Sequence, residues 1–334
     1  MADRRPARRG LGRLLAVPTP VIFVFSILVA LALLWWQGSL ADLASSLRRL
    51  SPATIVAALV LYGAGLALLS ARWHALVRMA GGTAPAPVSA DVFLTSVVVN
   101  YAAPIGLAVP TRAALSKRDL GLSVSGSGAV VLWEALLDLG VLALIGVAWL
   151  VIGGAGAVRI VAEQGGSWLV LAGVLALVAA ISLVAALALS SRLRARLRAF
   201  SGEALGLPRR KPGPALAALA CTVVFWALQA VILALLLAGF GIPNPTTSLV
   251  LGVLGWPVFV GMLSPVPGGA GVREALMVAV AGLERVDGAA VLLAAVTYRL
   301  ALFATLPVAY ALARWWRAAT LGRHEDRTGG ADGD

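Results

Sequence analysis

Three ionisable side chains stand inside long apolar runs: Glu134 and Asp138 in VVLWEALLDLGVLALIG, and Arg299 in AAVTYRLALF. Glu134 and Asp138 are four residues apart, so on a helix they share one face. At about 1.5 Å per residue, Glu134 lies roughly 15 Å along a helix begun at Val124, and a count from Gly288 brings Arg299 to about the same depth. An ionised group in the middle of an apolar layer costs roughly 2.5–3.5 kcal/mol even on a lenient insertion scale. It must therefore meet an opposite charge or line a polar cavity, where it can hold a charged ligand or relay protons. The simplest pairing joins Arg299 to Glu134 or Asp138 and clamps two helices; the functional alternative keeps all three on a cavity wall, and both can hold at once.

Two further arginines follow interrupted apolar stretches. Pro104-Ile-Gly-Leu-Ala-Val-Pro-Thr-Arg112 and Pro265-Val-Pro-Gly-Gly-Ala-Gly-Val-Arg273 each place an arginine eight residues after a proline. Proline removes a backbone donor and glycine permits positive φ, so Pro104, Pro265, Pro267, Gly268, Gly269 and Gly271 are read as the breakers that stop a helix. A helix restarting beyond each break adds its positive end to the field of Arg112 or Arg273. With Arg299 these cations suit an anionic phosphate, which guanidinium grips with a two-pronged fork. Arg112 also reads as a plain topology charge. Glu274 either orients Arg273 or caps the helix start. Asn100 either bonds backbone freed by the first break or touches substrate, and Tyr298 either packs or binds. The Ser125-Gly-Ser-Gly128 stretch reads as a helix cap.

The elements that carry these residues belong in a bilayer. Of 334 residues, 60% are hydrophobic and 13% charged, against roughly 25% charged in a soluble domain. Runs of the 20 or so residues needed to cross a bilayer lie near 17–36, 53–71, 124–152, 167–190, 214–238 and 288–313, and the runs 88–110 and 247–283 are interrupted. The formal charge of +12 comes from arginines at the ends of these runs, where they set topology and meet anionic lipid rather than nucleic acid. Cys221 is the single cysteine, and His74 and His324 lack metal-spaced partners, so neither a disulfide nor a metal or other cofactor is expected. Residues 17–36 read as an uncleaved first helix rather than a secretory signal cleaved near Ser39-Leu40-Ala41, because the run is long and ends in Trp35-Trp36.

Topology follows from the cations. The loop 191–213 holds seven, the first 13 residues hold five, and the tail from Arg314 holds four arginines, whereas 153–166 holds one and 239–246 none. These counts agree only if 88–110 enters from the cytoplasm and returns while 247–283 enters from outside and returns. The predicted fold is an all-α polytopic membrane bundle with six full spans and two re-entrant broken-helix hairpins. Units 53–152 and 214–313 then have opposite orientation, an inverted repeat of the kind found in secondary transporters. Residues 1–16 form a basic cytoplasmic N-terminus, 17–313 the membrane domain, and 314–334 a disordered cytoplasmic tail.

The segment Pro265 to Glu274 resembles the Pro-x-Pro-Gly-Gly-x-Gly-x-x-Glu motif of the lysylphosphatidylglycerol synthase transmembrane family, the flippase-like integral membrane proteins, and Tyr298-Arg299 is similar to the Tyr-Arg pair of that family's last span. Asn100, Pro104, Arg112, Glu134 and Asp138 follow its pattern in the first half, while Ala108-Val109 stands where Gly-Glu is usual and Ala135 where arginine is usual. The resemblance implies movement of a lipid with a charged head group across a bacterial inner membrane. It does not extend to the soluble aminoacyl-transferase domain of full-length synthases, so synthesis of the aminoacyl lipid is not expected. The rival expectations are an integral-membrane transferase acting on a lipid or polyprenyl phosphate, with Glu134 or Asp138 as base, and a non-transporting partner of an envelope-building enzyme. Expected partners are anionic membrane lipids, not nucleic acid, with a homo-oligomer or an envelope-enzyme partner left open.

Overall fold

The computed structural model describes residues 50–102, 108–153, 202–264, 269 and 271–329, and every regular element among them is helical. The expected spans at 17–36 and 167–190, the N-terminal basic segment, and the breakers Pro104, Pro265, Pro267 and Gly268 lie outside the described residues.

Eight helices carry the argument: α1 (Pro52–Met79), α2 (Ala86–Ala102), α3 (Ala108–Leu120), α4 (Val124–Ile152), α5 (Pro212–Gly239), α6 (Thr247–Leu263), α7 (Val272–Leu283) and α8 (Gly288–Gly329). A ninth helical segment spans residues 202–210. Among the described residues, four helices are long and apolar enough to cross a membrane: Pro52–Met79, Val124–Ile152, Pro212–Gly239 and Gly288–Thr320. At about 1.5 Å per residue, the 28 residues of α1 exceed the roughly 30 Å hydrocarbon layer by about two turns.

Local chemistry sets the ends. Ser51 Oγ accepts from the Thr54 amide at 3.1 Å with Pro52 opening α1, and Thr246 does the same for Leu249 at the start of α6. The cap of α4 is Ser123, which accepts from Gly126 at 3.0 Å; the predicted Ser125–Gly128 cap sits inside the first turn instead. Each expected hairpin region carries two helices in succession, the second shorter, with α2 and α3 of 17 and 13 residues and α6 and α7 of 17 and 12. At the second break Gly269 and Gly271 adopt φ of 65° and 80°, the left-handed region that favours glycine. A Cβ on Gly269 would also stand 2.6 Å from the Gly261 Cα, so the returning chain lies directly on α6.

α1 packs along α5, with the ends matched in reverse. Leu50 and Thr54 lie against Gly239, Gly65 lies against Gln229, and Lys211 Nζ donates to the Arg78 carbonyl at 3.0 Å. α4 packs on α6 and α8 on α2. The α4–α6 contact runs through small residues, because a Cβ on Gly255 would stand 2.7 Å from the Gly146 amide nitrogen. Backbones meet there as closely as small residues allow in membrane bundles.

The tail expectation needs correction. Residues 314–329 continue α8, which runs 42 residues with Pro307 inside it. Near its far end Arg317 pairs with Asp91 of α2 at 2.5 Å and with Asp119 of α3 at 3.5 Å. The ion pairs reward continuing the helix beyond the apolar run that had marked its expected end.

Candidate functional site

The first charged cluster joins α1, α3, α4 and α5. Arg72, its side chain only 3% exposed, reaches Glu134 Oε1 at 3.1 Å and Asp138 Oδ1 at 2.5 Å. The four-residue spacing predicted to put both carboxylates on one face does so, and one guanidinium spans them. Asp138 Oδ1 also accepts from the Trp226 indole at 3.0 Å, so α5 is tied to the same point.

Glu134 divides its two oxygens between two arginines. Its Oε2 accepts from Arg112 at 2.8 Å, and Arg112 Nε donates to Ser96 Oγ at 3.1 Å. The Arg112 guanidinium lies over the Trp73 ring at 4.6 Å and the Phe93 ring at 5.9 Å, cation–π contacts that suit a half-buried charge. Arg112 is therefore part of the cluster rather than a free topology charge.

The second cluster joins α7 and α8. Glu274 Oε2 accepts from the Gly271 amide at 2.7 Å, which caps α7, and its Oε1 pairs with Arg299 at 3.1 Å. Arg299 thus takes Glu274 as its carboxylate, not Glu134 or Asp138 as its depth suggested. Depth alone gives no azimuth; α8 presents Arg299 toward α7, while α1 supplies Arg72 to the α4 pair. Arg273 lies over the Tyr298 ring at 5.0 Å, and Tyr298 meets Tyr62 of α1 edge-on at 5.5 Å. Among the described residues no carboxylate pairs with Arg273, and its buried Nε has no hydrogen-bond partner. Asn100 lies in the third-last position of α2, next to the first break.

Sequence reasoning missed Arg72 and Trp226. The apolar run was ended at residue 71, one position short of Arg72, although α1 continues through Met79. The signal was present in ARWHALVRM, where apolar residues keep helical spacing after the arginine.

Among the described residues the side chains gathered here are four arginines (72, 112, 273 and 299) and three carboxylates (134, 138 and 274), an excess of one positive charge when all are ionised. No group of three His, Cys, Asp or Glu side chains that could hold a metal ion occurs among the described residues. The arrangement can therefore hold one net negative charge beside a set of mutually neutralised ion pairs. No curated protein matches the chain. The family model for the lysylphosphatidylglycerol synthase transmembrane region matches residues 23–309, and the chain belongs to that family of membrane proteins.

Proposed function

We propose that this chain is a transporter that moves a lipid with a charged, phosphate-containing head group across a bacterial inner membrane, with both termini in the cytoplasm. The observation that carries this reading is Arg273, a half-buried cation just past a helix break that stacks on Tyr298 and meets no carboxylate among the described residues. A phosphate would complete it, and Arg299 and Arg112, held by Glu274 and Glu134, stand ready to exchange partners as the head group passes.

In this reading two inverted units surround the site, with α2–α3 and α6–α7 as re-entrant hairpins. Supporting it, corresponding helices α1 and α5 run antiparallel, and the cross-contacts are reciprocal: the fourth helix of each unit packs on the second helix of the other. This reading also sorts the bonds by membrane face. Lys211 with Arg78, and Arg317 with Asp91 and Asp119, belong to the cytoplasmic side. Glu284, which accepts from Trp149 at 2.9 Å and Ser248 at 2.6 Å, belongs to the outer side. Non-helical backbone at membrane depth is tolerated where it is buried in protein or lines a watery cavity.

The test is reconstitution of the full chain in liposomes carrying fluorescent phospholipid, with a membrane-impermeant quencher added outside. The wild type should expose inner-leaflet label well above protein-free vesicles, and Arg273→Gln should slow this by about tenfold, the worth of a charged hydrogen bond. Label that stays protected with the wild type would sink the transport reading.

A further inference from the structure

Gln229 is fully buried on α5, and among the described residues neither its Oε1 nor its Nε2 has a hydrogen-bond partner. Buried polar groups are almost always matched, and a chain in lipid has no solvent to match them. Thr222, two turns earlier on the same helix, shows the ordinary solution by donating to the Ala218 carbonyl at 2.8 Å. Gln229 has no such outlet. An apolar residue would pack the same space at no polar cost, so the amide calls for a ligand.

Its position shows which one. The Gln229 amide lies against Gly65, where a Cβ would stand 3.0 Å from Nε2. One turn before Gln229 on α5, Trp226 holds Asp138 of the first cluster. One turn before Gly65 on α1, Tyr62 meets Tyr298, whose ring carries Arg273 of the second cluster. The unmatched amide therefore stands between the two charged clusters, one turn along α5 from Trp226 and, across its contact with Gly65, one turn along α1 from Tyr62, which touches the second cluster through Tyr298.

We infer that Gln229 is a specificity-determining contact, its amide reading a neutral hydrogen-bonding group, a hydroxyl or an amide, in the head group of the lipid whose phosphate the arginines hold. The inference rests on the transport reading. Glutamine offers both a donor and an acceptor without adding charge, so it selects for hydrogen-bonding capacity while leaving the site's +1 balance untouched. Gly65 leaves the amide room to turn toward that group.

The full chain is reconstituted with two fluorescent probes of equal charge, phosphatidylglycerol, whose head group carries hydroxyls, and phosphatidylmethanol, which has none. The wild type should move phosphatidylglycerol about three- to tenfold faster, the worth of one hydrogen bond. Gln229→Leu should bring that ratio to about one, chiefly by slowing phosphatidylglycerol, and Gly65→Ala, which crowds the amide but keeps it, should lower the ratio in the same direction. If Gln229→Leu fails to fold, Gly65→Ala decides. A wild-type preference that survives these substitutions, or a wild type that moves both lipids equally, overturns the inference and leaves transport standing; Gln229 would then hold only water. A wild type that moves neither lipid removes the transport reading and this inference with it.

Discussion

Glu274 on α7 meets Arg299 on α8 at 3.1 Å, the same step of the fold that Arg112 on α3 makes to Glu134 on α4 at 2.8 Å, but with the charges exchanged. Each half of the chain thus bridges its short helix to the long helix that follows. In one half the cation rides the short helix; in the other it rides the long one.

That exchange makes a reversal experiment informative. Glu274→Arg and Arg299→Glu should each destabilise by about 3–5 kcal/mol, because a buried charge loses its partner. The double variant should recover part of the loss, although Glu274 also caps α7 and that hydrogen bond is not restored. Thermal unfolding in detergent measures all three, and a double variant no better than the sum of the singles would refute the direct pairing.

Arg72 and Arg273 should separate by phenotype. Arg72→Met leaves Glu134 and Asp138 without their shared partner and should cost about 3–5 kcal/mol with a sharp fall in abundance. Arg273→Gln should leave abundance and melting temperature near wild type while slowing lipid movement. Quantitative blotting beside the vesicle assay distinguishes the two.

Gly255→Ala should destabilise by about 1–3 kcal/mol, because the added methyl would meet the Gly146 backbone at 2.7 Å and backbone cannot swing aside. Alanine at Gly63, where a Cβ would meet nothing within 4 Å, should be neutral or slightly stabilising within the helix. Melting temperatures of the two variants check the contrast.

The α2–α3 to α8 contact should be acid-sensitive. The hydrogen bond from Arg118 holds the Asp119 carboxyl below the usual carboxylate range, against the opposing effect of burial, and Arg317 adds to the lowering. A carboxyl depressed in the folded state contributes stability that is present above its unfolded pKa and lost as pH falls through its folded one. The Asp119→Asn variant should therefore be less stable than wild type at neutral pH and converge with it below about pH 4, as read from melting temperature against pH.

In a Cys221→Ser background, cysteine at Thr83 should label from the cytoplasm and cysteine at Asn244 from outside, since they follow the ends of the antiparallel helices α1 and α5. Impermeant maleimide on intact cells and inverted vesicles gives the answer. Labelling of both from one side would break the inverted arrangement.

The elements that sequence made legible were those with one strong local signal. The limits of α4 were readable because its apolar run begins and ends cleanly, and the positive-φ turn at Gly269 and Gly271 because glycine leaves few alternatives. Glu134 and Asp138 were recognisable as neighbours because spacing of four fixes a shared face. Which arginine would serve them was not, because helix rotation is set by tertiary packing and Arg72 sat past the point where hydropathy fell. Trp226 and Gln229 escaped because a search for charges at membrane depth passes over neutral polar groups. The helical course of residues 314–329 was hidden for a related reason: its support comes from Asp91 and Asp119, over 190 positions away in the chain.

One rod, α8, carries Arg299 at membrane depth and Arg317 against Asp91 and Asp119. Between them lies Pro307, which cannot donate to the Phe303 carbonyl and so leaves the rod with a soft joint. A stiff rod would pass any tilt at Arg299 on to the grip on Arg317. The joint instead lets the arm that bears Arg299 tilt while the arm fastened to Asp91 and Asp119 stays in place.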